Sequence, residues 1–578
     1  MYAVGDLLHI LDGELGKVFN KLGYDADLAV FQYSDRPDIS DFQTNSSMVL
    51  AKKLKKSPLE IARAIAGELE RCGLFESISI DGPGFLNVSI RDSVLLEVVN
   101  GTRDDPKCGF KNNAPQKTVV IDFGGYNIAK EPHVGHLRST VIGESVRRIY
   151  EFCGDRVIGD VHQGDWGLNM GMVIQGIRLK YPNLKCFSDG FNGDVIDDLK
   201  TNSEELTEIY RLATARAKDD SIFKEEVHRA TKMLQDGFKP YRVLWKHFTD
   251  ISIRDLEELA VGVFGAHFDL WNGESSVHEL IVQMIRNLTL NGIVTVSNGA
   301  KIIDLKDMDP DMPPVIIEKS DGAVMYASSD IATILDRLQK FNPDLMLYIV
   351  DARQSLHFKQ VFLACKKIGL LNERHVAEHC PFGTMNGADG KPFKTRSGDT
   401  VRLRELVDEM EARIREKSTQ GDENDIRNIA VACIKFADLI NYRESNYVFD
   451  FEQFTNYEGK TGAYILYSVV RINSILSKYD LASRVIDRIN SSEEKSLLME
   501  FTRFSSVIEQ AYARKVPNVV ADYVYRLAKK FSAFYAKCSI DNEDDRGYQR
   551  SKISLLGLTK QYIEKCLYIL GIDTVERM

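Results

Sequence analysis

His133 and His136 stand three residues apart around Gly135 in the run NIAKEPHVGHLRST. Two imidazoles can reach phosphate oxygens, and a residue with no side chain between them lets a flat base approach the backbone. The chemistry within reach is the binding and polarising of a nucleotide phosphate. An H-x-G-H pattern is short enough to occur at any turn, so its surroundings decide its meaning. Upstream, Val119, Val120, Ile121 and Phe123 form an apolar run of the kind a parallel sheet buries on both faces. Gly124 and Gly125 end it with residues free to turn the backbone. Downstream, Leu137, Val141, Ile142, Val146 and Ile149 recur at helical spacing, which predicts a helix starting near Gly135. The histidines therefore sit at a helix N-terminus, where unpaired N–H groups and partial positive charge favour phosphate.

The elements that must position this group alternate between strand and helix from about 116 to 440. RVIGDVH and LMLYIV read as further strands, IVTVSNGAKIIDL as a hairpin, and AVMYASSDIATILDRL as a strand running into a helix. A charged helical insertion spans about Val195 to Leu259. This order predicts an α/β, doubly wound parallel sheet, whose ligands bind at the carboxyl ends of the strands. Asp330, Asp351 and Gln354 thereby face the same crevice as His133 and His136. Asp330 also has the ordinary reading of a helix cap before IATILDRL.

Residues 1–110 read as a small α/β unit, with Ser57 as an N-cap and Pro58 at the first helical position. FESISI and FLNVSI form a hairpin around DGPG. The linker GTRDDPKCGFKNNAPQ follows. Residues 455–578 carry helical signals, as in a bundle. Tyr523, Tyr525, Phe531, Phe534 and Tyr535 read there as core before base-stacking platforms.

Composition bounds the possibilities. A chain of 578 residues exceeds one ordinary core. Its 44% hydrophobic and 27% charged content describes a soluble globular protein. No apolar run reaches membrane-spanning length, and the early acids without a basic flank argue against a secretory signal. Nine cysteines, scattered without C-x-x-C spacing, read as reduced thiols of a cytoplasmic protein. The net charge is −10, yet 13 Lys and Arg stand against 9 Asp and Glu from Phe501 onward. Phosphate contacts are local, so an acidic protein can bind RNA through one basic face. GADGKPF has Pro392 where a P-loop needs Ser or Thr, which removes that reading. His375, His379 and Cys380 imitate a zinc site without a companion ligand cluster, so no metal site is expected.

Four runs in one order carry a resemblance: NIAKEPHVGHLRST, SDGAVMYASSDIA, YIVDARQSLHFKQVF and GKPFKTRSGDTVRL. HVGH resembles the "HIGH" motif of class I aminoacyl-tRNA synthetases, and the set resembles arginyl-tRNA synthetases along essentially the whole chain. The resemblance implies a Rossmann-like class I catalytic domain at 116–440, a tRNA-contacting appendage at 1–110 and a helical anticodon-binding domain at 455–578. It implies an arginine–tRNA ligase that forms arginyl-adenylate from arginine and ATP, with Mg2+, and passes arginine to its tRNA. It further implies a monomer. His133, Gly135, His136, Lys394 and Arg396 would bind ATP, the last two within a degenerate "KMSKS" run that includes Thr395, Ser397 and Gly398. Lys130, His133, His136 and Lys394 would be catalytic, Lys130 replacing the second lysine of that run. Gly125, Tyr126, Asn127, His136, Glu274, Tyr326, Asp330 and Gln354 would bind arginine. Where many members carry Ser-Pro-Asn, this chain has Gly125, Tyr126 and Asn127. Two alternatives are a catalytically inactive tRNA-binding paralogue and an H-x-G-H nucleotidyl transferase.

Overall fold

Strand β1 (Thr118–Asp122) lies between β3 (Leu345–Tyr348) and β2 (Arg156–Asp160), and β4 (Val376–His379) flanks β3; all pairings are parallel. The computed structural model describes residues 7–320, 322–391, 393, 401–417, 422–479 and 485–578. Helix α1 (Val134–Phe152) joins β1 to β2; α2 (Tyr326–Phe341) precedes β3, and α3 (Ser355–Lys367) joins β3 to β4. Successive side chains of a strand point to opposite faces. Val119, Ile121 and Phe123 accordingly enter one core with Val141, Val146 and Ile149 of α1, while Val120 enters the other with Ile331, Ile334 and Val361. The apolar run is continuous because the sheet is covered on both sides. Gly143 lets α1 close on β1, since a Cβ there would lie 2.4 Å from Phe123.

The crossovers leave β1 in opposite directions, so a crevice opens between the carboxyl ends of β1 and β3. Arg337 of α2 braces that edge. Its Nη2 lies 2.6 Å from Asp122 and 2.7 Å from Asp160, the last residues of β1 and β2. The insertion expected from Val195 to Leu259 is three separate helices, Ser203–Asp219, Ser221–Gln235 and Lys239–Leu256. Asp220 ends the first and caps the second, accepting from the Phe223 amide at 2.9 Å. The expected hairpin, Val294–Ser297 with Ala300–Ile303, gains a third antiparallel strand, Val315–Glu318.

Before the parallel sheet, Phe75–Asp81 and Phe85–Ile90 pair as the expected hairpin within a four-stranded antiparallel sheet. Ser57 stands at the N-cap of Pro58–Leu69 without a side-chain cap bond. After the sheet come Gly462–Leu476, Ser492–Phe501, Phe504–Arg514, Asn518–Lys537 and Arg546–Ile569. Tyr523, Phe531 and Phe534 are core, as expected. Tyr525 and Tyr535 are only partly buried, with Lys460 5.6 Å and Arg471 4.1 Å from their ring centres. The carboxyl end of Arg546–Ile569 docks on α1 and on Lys435. Ser145 Oγ donates to the Ile569 carbonyl at 3.0 Å, Arg148 Nη1 to that of Tyr568 at 2.9 Å, and Lys435 Nζ to that of Gly571. A helix end with unpaired carbonyls and partial negative charge suits such donors. Among the described residues, no helix is long and apolar enough to cross a membrane.

Candidate active site

His133 is the N-cap of α1. Its Nδ1 accepts the Gly135 amide at 3.0 Å, and the Nδ1 of His136 accepts the His133 amide at 3.1 Å. An acceptor nitrogen carries no proton, so the hydrogen-bond pattern assigns the proton of each neutral ring to Nε2. Burial holds both imidazoles below the usual histidine range, with Lys130 and Arg353 adding to it at His133, and His133 and Lys130 at His136. The ring centres lie 4.1 Å apart. Gly135 has a requirement the sequence did not disclose: a Cβ there would lie 2.8 Å from the His133 ring. The glycine accommodates the protein's own histidine.

Tyr126 is fully buried, and its ring centre is 5.4 Å from that of His136. Its hydroxyl is 2.6 Å from Thr140 Oγ1, which donates its own proton to the His136 carbonyl at 2.9 Å. Tyr126 is therefore the donor of the pair. Gly124, at φ 92°, is what admits this ring, since a Cβ would meet it at 2.9 Å. Gly125 follows, exposed and at φ 58°. Asn127 lies beside Gly164, whose amide donates to the Tyr126 carbonyl at 3.1 Å.

Beside the histidines is a cavity of about 250 Å³ lined by His133, Gly135, Arg138, Arg353, Met385 and Phe393. Arg138 is buried in α1 and donates to Asp438 at 2.9 Å and to the Ser445 carbonyl at 3.0 Å. Arg353 is gripped by both oxygens of Asp351 at 2.9 and 2.7 Å. Lys130 Nζ stands 4.4 Å from the centre of the Tyr210 ring. Lys394, Thr395, Arg396, Ser397 and Gly398 lie outside the described residues. Their described flanks meet the site: Phe393 lines the cavity, Val134 donates its amide to the Val401 carbonyl at 3.1 Å, and Leu403 donates to that of Pro132 at 2.9 Å.

A second group is acidic. Helix α2 begins at Tyr326 with Met325 as its N-cap, so Asp330 lies inside the second turn and is not a cap. Its Oδ2 accepts from His357 Nε2 at 2.6 Å. Glu274 opens a short turn, Glu274–Val277, where burial, with Asp165 and Asp330 nearby, pushes its carboxyl up to about 8. Asp165 is itself raised by burial, although Ser275 donates to it from N at 2.9 Å and from Oγ at 2.5 Å. Among the described residues, no Lys or Arg is ion-paired with Glu274 or Asp330. Partial burial, with Glu274 nearby, raises the Tyr326 phenol, although the residue as a whole is exposed. Gln354 is exposed at the end of the turn Ala352–Gln354. Carboxyl groups without a cation suit a positively charged ligand, and imidazoles presenting Nε2–H at a helix N-terminus suit a phosphate.

Sequence reasoning missed Arg138, Arg353, Asp165 and His357 as members of this region. Arg138 had one signal, a charged residue on the apolar stripe of α1. Among the described residues, no cluster of three or more His, Cys, Asp or Glu could hold a metal ion.

Three family models match the chain: the arginyl tRNA synthetase N-terminal domain over 6–90, the catalytic domain of class I (R) tRNA synthetases over 102–451, and the DALR anticodon binding domain over 465–578. The arginine–tRNA ligase of Alkaliphilus oremlandii is 40% identical over 574 residues, covering 97% of this chain and 98% of the relative. That of Francisella tularensis subsp. tularensis is 41% identical over 586 residues, covering 98% and 99%. Among solved structures, the Plasmodium falciparum arginyl-tRNA synthetase shares the fold at TM-score 0.81 and 23% identity, with 100% of both chains covered. The Thermus thermophilus enzyme does so at 0.78 and 20%, covering 99% and 100%.

Proposed function

The chain belongs to the class I arginyl-tRNA synthetase family, whose members ligate arginine to tRNA, and from that membership we propose how its residues divide the work. The reaction is arginine–tRNA ligation with ATP. The arginine carboxylate attacks the α-phosphorus, the bond to the departing pyrophosphate breaks, and a hydroxyl of the terminal tRNA ribose then displaces AMP. Such chemistry needs positioning and charge stabilisation more than covalent help.

The Nε2–H groups of His133 and His136 donate to phosphate oxygens as charge moves onto them, at the positive end of α1. Gly135 lets the nucleotide approach, and Lys130, Lys394 and Arg396 supply cations. Asp330 and Tyr326 receive the guanidinium. Glu274, Asn127, Gln354 and the Gly125–Tyr126 backbone line the rest of the arginine site, where the α-ammonium stands. Tyr126 acts through its packing on His136, because its hydroxyl is engaged with Thr140. Mg2+ would arrive on the ATP phosphates, since the described carboxylates form no cage for it. Residues 1–110 and 455–578 carry the outer tRNA contacts around a catalytic unit at 116–440, in a cytoplasmic monomer.

The observation that carries this reading is the acidic pair Glu274 and Asp330, without a basic partner, at the strand ends that also present His133 and His136. The test is arginine-dependent exchange of pyrophosphate into ATP, with and without arginine-specific tRNA, beside lysine and citrulline controls. Exchange with arginine alone among the amino acids, appearing when tRNA is added, is expected. No exchange with tRNA still bound would favour a catalytically inactive paralogue and direct attention to Gly125 and Tyr126. The nucleotidyl transferase alternative has no support, because the family matches also cover both flanking regions.

A further inference from the structure

We infer that His357 is a positioning residue for arginine recognition: through Nε2 it fixes the plane of the Asp330 carboxylate against which the substrate guanidinium is held. This rests on the reading of Asp330 given above. An aspartate in the second turn of a helix still rotates about two side-chain bonds. Two parallel hydrogen bonds to a planar guanidinium tolerate little of that rotation.

The restraint comes from another element. His357 Nε2, on α3, lies 2.6 Å from Asp330 Oδ2, on α2. An ionised carboxylate only accepts, so Nε2 carries the proton and donates. Each carboxylate oxygen can accept more than one hydrogen bond, and Oδ1 has no partner among the described residues. The pair therefore keeps its capacity for a ligand. His357 is held in turn. Its ring meets that of Phe358 at 73° with centres 5.5 Å apart, and it lies in the first turn of α3. The turn before α3 is closed by Asp351 accepting the Arg353 amide at 2.8 Å. The Asp330 and His357 side chains are 21% and 30% exposed, which puts the contact on the wall of the cleft instead of in the core. A donor locked by its own packing, aimed at the carboxylate that meets substrate, is how binding geometry is fixed from behind.

The experiment is steady-state kinetics of the full chain with L-arginine, ATP and arginine-specific tRNA, for His357→Leu, His357→Gln, Asp330→Asn and the double variant Asp330→Asn/His357→Leu. Direct L-arginine binding replaces KM wherever turnover is too slow. His357→Leu should raise KM for arginine about tenfold or more and leave KM for ATP and the thermal midpoint unchanged. His357→Gln, which retains an N–H donor, should recover most of the loss. His357→Leu should add little in the Asp330→Asn background, because the carboxylate it positions is gone. A wild-type arginine KM in His357→Leu, while Asp330→Asn loses arginine, overturns the positioning role and leaves Asp330 in place. Equal rises in KM for arginine and ATP overturn it as a general structural effect. A wild-type arginine KM in Asp330→Asn overturns the reading beneath both.

Discussion

His133 and His136 cap one helix turn reciprocally: each uses Nδ1 to accept a backbone N–H, at 3.0 and 3.1 Å, and keeps Nε2 as its protonated nitrogen. The two rings form part of the secondary structure before any nucleotide arrives. Their orientation is set by the same bonds that start α1, so the cost of ordering them is met during folding.

Gly135→Ala tests this coupling. The methyl group would sit 2.8 Å from the His133 ring, forcing the imidazole off the Gly135 amide. Losing the cap costs about 1 kcal/mol, a small effect on the thermal midpoint. Losing the placed donor should lower kcat for exchange roughly 10²- to 10³-fold. Wild-type exchange by a folded Gly135→Ala protein contradicts the account.

Asp330→Asn should cost roughly 3 to 5 kcal/mol in arginine binding, the scale for breaking a desolvated ion pair. The loss should appear in KM for arginine and not in KM for ATP. Arginine-dependent exchange near the wild-type level would remove Asp330 from the site.

Glu274 makes arginine binding depend on pH. A carboxyl raised to about 8 is mostly protonated at neutral pH in the free enzyme. The positive charges of arginine favour its ionised form, so binding releases a proton. Apparent arginine affinity should therefore rise with pH up to about 8, by at most about tenfold per pH unit, and level off above. Titrations in buffers of different ionisation enthalpy count the proton. Glu274→Gln should release none there and flatten the slope. The folded state also holds this proton more tightly than the unfolded chain, so free-enzyme stability should fall as pH rises from the ordinary carboxyl range towards 8, relative to Glu274→Gln.

Lys435 gives the opposite slope at higher pH. It is buried, and desolvation lowers its ammonium to about 8 although Nζ donates to the Gly571 carbonyl. Above that value the unfolded chain binds the proton more tightly than the folded protein. Stability should therefore rise between about pH 8 and the ordinary lysine value near 10.4, by about 3 kcal/mol in total. Denaturant titrations at several pH values read this as the difference between wild type and Lys435→Met. Parallel curves for the two proteins would rule it out.

The sequence disclosed what is local or periodic. TVVID and the apolar stripe of α1 announced a buried strand and its helix, and HVGH lay where they meet. Asp330 was visible as a carboxylate near a strand end, but its neighbour suggested a cap, because helix onset at Tyr326 depends on the fold around Met325. Tyr126 was legible as part of the site, whereas the engagement of its hydroxyl by Thr140 depends on how α1 turns back over β1. The hold of Arg138 on Asp438 joins residues 300 positions apart. No local pattern encodes such a pair. The acidic character of the arginine site likewise arises from spatial neighbours, as Asp165 and Glu274 come from separate loops.

The docking of the last helix on α1 bears on how the protein is made. Ser145 and the Ile569 carbonyl are 424 residues apart in the chain. At 5–20 residues per second of synthesis, α1 exists for roughly 20 to 85 s before its partner is translated. During that interval its charged end depends on contacts within reach: Glu144 pairs with Arg147 at 2.8 Å and with Arg148 at 2.6 Å, inside α1 itself. The helix that presents His133 and His136 can thus form early, and the joint that ties it to the far end of the chain closes among the last.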